Sequence, residues 1–270
     1  MKKIILGTAN LNRNYGLLKN NINIENFRQC LKILKKNNQK FIESSTEYKN
    51  SLKTLSKFNL KNFNLIIKFN YKKNYNINFF NKLKTDLKIQ KFYCLMLHNP
   101  DLIYKNKRKI QYFLDDLRKN KICKKIGISL YNFNSLKRLN DFYDFDIVQL
   151  PTNIFDQRIL RIKNENIFKN KIIQARSIFL QGIILKKYHK FSNNKNFKKF
   201  NNWTERNKYY PLFECINYIK QIKKINHIVL GANSIEQLNQ ILNAFKKRKV
   251  LRNYKNFNLE NEKIINPSKW

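Results

Sequence analysis

Eight short apolar runs recur along the 270 residues, and amphipathic segments separate them. The runs span residues 3–8, 40–44, 63–69, 92–98, 122–129, 145–150, 171–178 and 226–231. Near-continuous apolar runs of this length predict strands of a parallel sheet covered by helices. Each connection is long enough for the crossover that parallel strands require. Eight such units in ~250 residues favour one α/β domain over residues 1–270, a (β/α)8 TIM barrel of eight parallel strands.

Three connecting segments place apolar residues at the spacing of one helix face, and Asn23 is a candidate N-cap for the first. The faces comprise Ile24, Phe27, Leu31 and Leu34; Ile110, Phe113, Leu114 and Leu117; and Ile235, Leu238, Ile241, Leu242 and Phe245. Two segments break the alternation, at residues 188–211 and 250–270. Because loops after strands build the active face of a barrel, the Asn- and Lys-rich 188–211 segment is either a substrate loop or a solvated insertion.

The formal net charge is +39, from 56 Lys and Arg against 17 Asp and Glu. Lys, Asn, Ile, Phe and Tyr, which A/T-rich codons encode, are enriched, and the lysines are spread along the whole chain. We therefore attribute most of the charge to A/T-rich genome composition. Nucleic-acid binding is the lesser alternative, since no RRM, KH, helix-turn-helix or zinc-finger pattern is present. The positive field should still attract anionic ligands.

The cysteines and the N-terminus indicate the cellular context. The four cysteines, Cys30, Cys94, Cys123 and Cys215, show no CxxC spacing. We therefore expect neither a metal site nor a disulfide framework, and a reducing cytoplasm. The first apolar run is too short for a signal peptide, and no stretch approaches the ~18 apolar residues that span a bilayer. We expect a cytoplasmic protein without a membrane partner, and the sequence carries no signal for its oligomeric state.

Polar residues follow the second, third and fourth predicted strands. These are Glu43 and Tyr48, then Lys68, then His98. In a barrel, adjacent strand ends converge on one mouth. A lysine that ends an apolar strand is costly to bury unless a carboxylate pairs with it, and Glu43 lies on the neighbouring strand. Taken singly, Lys68 could be a solvated strand end, His98 a turn residue and Tyr48 core or surface, but their order on successive strands favours a site.

Six segments resemble the aldo-keto reductases, and together they cover nearly the whole chain. They are ILGTANL at 5–11, FIESSTEYKNS at 41–51, LHNPD at 97–101, DIVQLPTNIFDQR at 146–158, RSIFLQG at 176–182 and GANSIEQL at 231–238. The order and spacing of these motifs, rather than any one of them, carry the resemblance. It implies an NAD(P)H-dependent oxidoreductase that reduces the carbonyl group of a small aldehyde or ketone.

The resemblance also implies a tetrad of an acid, Tyr, Lys and His. Tyr48 would be the general acid that protonates the carbonyl oxygen. Lys68 would make the Tyr48 phenol a stronger acid through its nearby positive charge, and His98 would orient the carbonyl. Glu43 stands where the family has Asp, and Lys49 stands where it has Gly. These two departures leave open a catalytically weakened barrel that binds cofactor or a protein partner.

The cofactor residues come from the same resemblance. Ser129 and Gln149 would bind the nicotinamide carboxamide, and Arg176 stands where many members stack a Tyr on the nicotinamide. Gly7 and Thr8 end the first strand beside the cofactor. Ser177, Leu180 and Gly182 would hold the pyrophosphate, and Gly231, Asn233, Ser234 and Gln237 the adenosine phosphate end.

The adenosine end leaves two questions open. Ser234 and Gln237 also form a capping box, which satisfies a helix start without any ligand and is compatible with phosphate binding there. Asn233 stands where NADP-preferring members often have Arg, and Ile241 replaces a common Asn. We expect NADPH because of the strong positive charge, with NADH as the alternative.

Overall fold

Eight parallel strands close into a barrel in the computed structural model, which describes residues 2–19, 21–48, 50–72, 74–100, 103–104, 106–162 and 165–270. The strands are β1 (Lys3–Gly7), β2 (Phe41–Ser45), β3 (Asn64–Phe69), β4 (Phe92–Leu97), β5 (Cys123–Ser129), β6 (Ile147–Pro151), β7 (Ile172–Arg176) and β8 (His227–Leu230). Neighbours in chain order pair in parallel, and β1 pairs with β8 to close the ring. Each strand overlaps one predicted run, so the predicted TIM barrel is confirmed.

Helices cover the outside of the barrel. They are α1 (Ile24–Lys36), α2 (Ser51–Leu55), α3 (Ile77–Asp86), α4 (Lys107–Lys119), α5 (Leu136–Phe142), α6 (Lys195–Arg206), α7 (Pro211–Gln221), α8 (Ile235–Lys246) and α9 (Glu262–Ile265). The predicted apolar faces of α1, α4 and α8 are largely buried, and Asn23 caps α1 by accepting from the Asn26 backbone N–H at 2.8 Å. Among the described residues, no helix is both long and apolar enough to cross a membrane.

The connection from β6 to β7 departs from the strand–helix alternation. It contains two short 3-10 helices, Arg158–Arg161 and Glu165–Phe168, in its described part. The turn after β6 is held by buried polar groups instead. Asp156, fully buried, makes two hydrogen bonds of 2.8 Å with Arg158, and Gln157 donates to the Tyr254 carbonyl at 2.7 Å. Part of the 146–158 motif therefore anchors the C-terminal segment.

Residues 188–211 are not an open loop, because they contain α6. Phe197 and Phe200 lie on its buried face, where they contact Phe155 and Phe257 with ring centroids 4.2 and 5.4 Å apart. Apolar burial of these rings holds the segment on the barrel. The sequence expectation of a loop or a solvated insertion missed this helix.

Apolar side chains fill the lower part of the barrel interior. They are Ile5, Phe41, Ile66, Cys94, Met96, Ile147 and Val229. Gly127 of β5 makes room for two of them, because a Cβ there would lie 2.9 Å from Cys94 Sγ and 3.0 Å from Met96 Cε. All four cysteines are free, buried thiols. The interior above this layer, towards the carboxyl ends of the strands, is polar.

Candidate active site

A cavity of about 670 Å³ opens at the carboxyl ends of the strands. Parallel strands in a barrel end on one face, so residues far apart in sequence meet there. The structure brings most of the predicted site residues to its lining: Gly7, Glu43, Tyr48, Lys68, His98, Arg176, Ser177, Gly182, Gly231, Asn233 and Gln237. Lys49 and Asp101, which the motif comparison also used, lie outside the described residues.

Lys68 and Glu43 form a buried ion pair between β3 and β2. Lys68 Nζ lies 2.7 Å from Glu43 Oε1, and both side chains are about 95% buried, with 5% and 3% exposed. Burial acts to lower the pKa of Lys68, but the Glu43 carboxylate and the Tyr48 phenol outweigh it and raise that pKa above its usual value. Lys68 is therefore a cation at neutral pH, and its Nζ lies 5.3 Å from the centroid of the Tyr48 ring.

His98 faces Tyr48 edge-on, with ring centroids 6.2 Å apart. Burial, together with the charges of Lys68 and Arg176, lowers the pKa of His98 to about 3. The ring is therefore neutral at physiological pH. Ser45 Oγ lies 3.4 Å from His98 Nδ1 and can donate to it, which leaves the ring proton on Nε2. Ser45 was not predicted from the sequence, although strand alternation places it on the same face of β2 as Glu43.

Tyr15 and Tyr131 also line the cavity, and neither was predicted from the sequence. Tyr15 lies in the loop after β1, and burial and the nearby Tyr48 raise its pKa to about 12. It therefore remains a neutral phenol beside the tetrad. Tyr131 follows β5 and stacks on Arg176, whose guanidinium carbon lies 3.8 Å from the ring centroid. Loop tyrosines carry no strand periodicity, so only the structure brings them to the site.

Arg176 is 8% exposed, and its hydrogen bonds go to neutral groups. It donates to Ser129 Oγ at 3.3 Å, to Ser177 Oγ at 3.3 Å and to the Leu130 carbonyl at 3.0 Å. In the described part of the chain it forms no salt bridge. A buried guanidinium without a carboxylate partner is costly unless an anion approaches it. Among the described lining residues, the charged ones are Lys68, Arg176, Lys186 and Glu43, which leaves the cavity positive.

Gln149 and Ser129 lie just below the cavity lining. Gln149 is fully buried and donates to Glu43 Oε2 at 2.5 Å and to Gln174 Oε1 at 3.0 Å. Its oxygen accepts from Ser129 Oγ at 3.2 Å. Both amide hydrogens of Gln149 are thus used inside the barrel, and so is its carbonyl oxygen. Gln174, at the matching height on β7, is a second residue that the sequence analysis did not name.

The start of α8 forms the other end of the cavity. Ser234 Oγ accepts from the Gln237 N–H at 3.2 Å, and Gln237 Oε1 accepts from the Asn233 N–H at 2.9 Å. The capping interaction is therefore formed, with Asn233 and Gln237 in the lining and Ser234 holding the helix start. Asn10, which the sequence analysis missed, ties this end to the loop after β1 by donating to the Ala232 carbonyl at 2.9 Å.

Two other predicted cofactor residues lie behind the lining. The Leu180 side chain is fully buried in the outer core. Thr8 is also buried; its N–H donates to the Glu43 carbonyl at 2.9 Å, and its Oγ1 has no partner among the described residues. Thr8 and Leu180 therefore lie next to the cavity but do not form part of its lining.

Solved structures with this fold include three that match over most of their length. The holo form of an aldo-keto reductase from Bacillus halodurans has a TM-score of 0.74 at 11% identity, covering 92% of this chain and 88% of that one. A glycerol dehydrogenase from Gluconobacter oxydans has a TM-score of 0.67 at 12% identity, covering 92% and 87%. An aldo-keto reductase from Pseudomonas aeruginosa has a TM-score of 0.67 at 11% identity, covering 90% and 88%.

No curated protein matches the sequence. At these identities the solved structures support the fold alone. The family itself is established by a sequence model, that of the aldo/keto reductase family, which matches residues 3–258. That match contains the barrel strands and the tetrad positions described above. The chain therefore belongs to the aldo/keto reductase family.

Proposed function

We propose that the protein, acting as one barrel domain over residues 1–270, reduces an aldehyde or ketone with NADPH or NADH, and that Tyr48 is the general acid. The observation that carries this proposal is the convergence of Tyr48, Lys68, Glu43 and His98 on one cavity. The barrel brings these strand ends together but does not require ionisable side chains there, and the buried Lys68–Glu43 pair costs desolvation that a purely apolar interior would avoid.

The four side chains fit distinct roles in carbonyl reduction. Tyr48 donates its phenolic proton to the carbonyl oxygen as negative charge develops there. Lys68, kept cationic by Glu43, stabilises the phenolate that remains. Neutral His98 donates a hydrogen bond from Nε2 to the same oxygen and so orients the carbonyl carbon. A reduced nicotinamide bound in the cavity supplies the hydride.

The cavity residues fit a dinucleotide. The lining runs from Tyr48 and His98 to the start of α8, and its net positive charge suits a pyrophosphate. Gly231 leaves room on this path, since a Cβ there would meet no atom closer than 3.8 Å. Ser177 and Gly182 also belong to the lining. We propose that these residues hold the cofactor, with Arg176 beside the nicotinamide end.

The preference between NADPH and NADH is expected to be small. The lining residues at the start of α8 are Asn233, Gln237, Gln240 and Ile241, and none of them carries a positive charge. A charge-assisted contact to the extra phosphate of NADPH is therefore lacking in this part of the lining. The overall charge of +39 still attracts the more negative cofactor, which keeps NADPH as the first choice.

The test is direct. The purified protein is titrated with NADPH and NADH by fluorescence, and oxidation of the bound cofactor is followed with a panel of aldehydes and ketones. Panel members are paired, each neutral carbonyl with its carboxylate-bearing analogue, because the unpaired Arg176 favours anionic substrates. Binding of a reduced cofactor with carbonyl-dependent oxidation is expected. Absence of binding to both cofactors would refute the proposal.

A cofactor-binding barrel with weakened turnover is the second candidate, and Glu43 in place of Asp is the observation that favours it. If Glu43 misplaces Lys68, then Glu43→Asp increases kcat many-fold. The short Lys68–Glu43 contact argues for an active arrangement, because the longer carboxylate reaches the amine at 2.7 Å. A normal wild-type kcat with some carbonyl substrate would remove this candidate.

A further inference from the structure

A continuous set of buried hydrogen bonds crosses the barrel interior below the tetrad. It starts at His227 on β8, whose Nδ1 lies 3.4 Å from Gln174 Nε2 on β7. Gln174 Oε1 accepts from Gln149 Nε2 on β6 at 3.0 Å, and Gln149 Nε2 also donates to Glu43 Oε2 on β2 at 2.5 Å. Glu43 Oε1 then accepts from Lys68 on β3. Because β2 and β6 stand on opposite sides of an eight-stranded ring, the Glu43–Gln149 bond spans the barrel axis.

The donors and acceptors in this set agree with one another. An ionised carboxylate only accepts, so the Gln149 amide group must face Glu43, and the Gln149 oxygen then faces the Ser129 hydroxyl. Gln174 must offer its oxygen to Gln149 and its amide group to His227. Burial and nearby Lys3 lower the pKa of His227 to about 4, so its ring is neutral and Nδ1 can accept. One orientation of each side chain satisfies every bond.

The length of Glu43 is what permits the contact across the barrel. Aspartate, which the family has at this position, is one carbon shorter, and a carbon–carbon bond is ~1.5 Å long. Shortening the side chain while the backbone stays in place would carry the 2.5 Å contact beyond the ~3.2 Å limit of an ordinary N–H···O bond. The same carboxylate could not then reach Lys68 and Gln149 together.

We propose that Gln149 and Gln174 are positioning residues for the tetrad: Gln174 orients Gln149, and Gln149 fixes the second oxygen of Glu43 so that Lys68 is held beside Tyr48. In this arrangement Glu43 is matched to Gln149 and is not a defective aspartate. Gln149 acts on the tetrad through Glu43 from inside the barrel. This inference rests on the proposed reductase function for its catalytic readout, but the hydrogen bonds themselves can be tested without turnover.

The experiment is a double-mutant cycle with Glu43→Asp, Gln149→Met and the double variant, each made in the full chain. Methionine keeps the approximate length of glutamine but donates no hydrogen bond. Gln39→Met is the matched control, because Gln39 is a buried glutamine that accepts from Ile4 N–H at 3.0 Å, before β2. The measurements are kcat, KM, the Kd for NADPH from protein fluorescence, and the equilibrium constant of unfolding in urea.

We expect each single variant to lower kcat by about 10- to 100-fold, since ~1 Å of displacement in a tetrad is costly in rate. The double variant should fall within about threefold of the lower single variant, because both changes remove the same bond. KM should change by less than about threefold in all three variants, and Gln39→Met should keep both kcat and KM. The Kd for NADPH should change by less than about threefold in Glu43→Asp, because Glu43 acts on the tetrad through Lys68.

Losses in kcat that multiply in the double variant would overturn the inference, as would a Gln149→Met variant that weakens NADPH tenfold and keeps kcat. If the wild type binds no nicotinamide cofactor, the proposed function fails, and the double-mutant cycle then uses the equilibrium constants of unfolding alone. Non-additive changes in the free energy of unfolding support the Glu43–Gln149 hydrogen bond, and additive changes overturn the inference. If Gln149→Met does not fold, Gln174→Met replaces it. A smaller loss of kcat at unchanged KM is then expected, and an unchanged kcat would refute the inference.

Discussion

Replacing Glu43 by Gln tests the electrostatics of the tetrad through the stability of the barrel. The substitution keeps the shape of the side chain and removes its charge. Lys68 then remains a buried cation, 5% exposed, without the Glu43 carboxylate as its partner. The new side chain has an NH₂ group in place of one carboxylate oxygen, and this group faces either Lys68 or the amide of Gln149. Whichever way it turns, one buried donor meets another donor.

The expected loss is about 3–5 kcal/mol, the range for breaking a buried ion pair by removing one partner. For 270 residues at ~2.1 cal/mol/K each, the entropy of unfolding is about 0.57 kcal/mol/K. Division of the two gives a fall in Tm of about 5–9 °C. Glu260→Gln is the control, since it breaks an exposed pair with Arg161, whose side chains are 76% and 56% exposed. Glu260→Gln should lower the free energy of unfolding by less than ~1 kcal/mol and the Tm by less than about 2 °C.

The stability of wild type and of Glu43→Gln should depend differently on pH. In the wild type the pKa of Lys68 is raised, so the pair stabilises the fold at neutral pH and loses its effect only above the usual lysine value of 10.5. In Glu43→Gln, burial instead lowers the pKa of Lys68, so the unfolded chain binds more protons and stability rises with pH. Thermal unfolding and urea unfolding, each at pH 7 and pH 9.5, measure both effects. A Tm within 2 °C of wild type, or a deficit that does not shrink at pH 9.5, would refute the reasoning.

Four further outcomes are expected from the site and the interior. Tyr48→Phe should lower kcat by about 10²- to 10⁴-fold, the usual share of a general acid, with NADPH affinity unchanged in a fluorescence titration. Because the pKa of His98 is lowered to about 3, His98 should not titrate between pH 6 and 7. The shape of the pH–rate profile in that range should therefore be the same in wild type and in His98→Gln. Gly127→Ala should destabilise the barrel by about 1–3 kcal/mol in urea, since its Cβ would lie 2.9 Å from Cys94 Sγ. Asn233→Arg should tighten NADPH about tenfold without changing NADH, which paired titrations would detect; equal effects on the two cofactors would place Asn233 away from the extra phosphate.

The barrel was predictable because its signals are local. Every strand is a short apolar run, and helices such as α1 and α8 carry their buried faces at regular spacing. Where a local signal is weak, the prediction failed. Phe197 and Phe200 of α6 lie three residues apart, as in a helix, but the surrounding Asn and Lys resemble a solvated loop. The 3-10 helix Arg158–Arg161 begins at the buried Asp156–Arg158 pair, which no periodicity reveals.

The site was predictable where polar residues end consecutive strands, as Lys68 and His98 do. Ser45 was within reach of the same reasoning, because it follows Glu43 by two positions on β2. Tyr15 and Tyr131 were not, since they lie on loops whose course depends on the finished barrel. The Glu43–Gln149 contact joins residues 106 positions apart across the barrel axis, and adjacent strands alone give no hint of it.

Gly16 and Gln181 show how the cavity is bounded at its rim. Gln181, in the segment after β7, accepts at Oε1 from the Leu17 N–H at 3.2 Å. Gly16, next to Leu17 in the chain, has a φ of +71°. A Cβ at Gly16 would lie 2.6 Å from the same Gln181 oxygen, so there is no space for a side chain there. Both loops contribute to the lining, through Leu18 and Gln181. A ligand that passes between these two loops must first separate them, so the rate at which the loops part sets an upper limit on the exchange rate by that route.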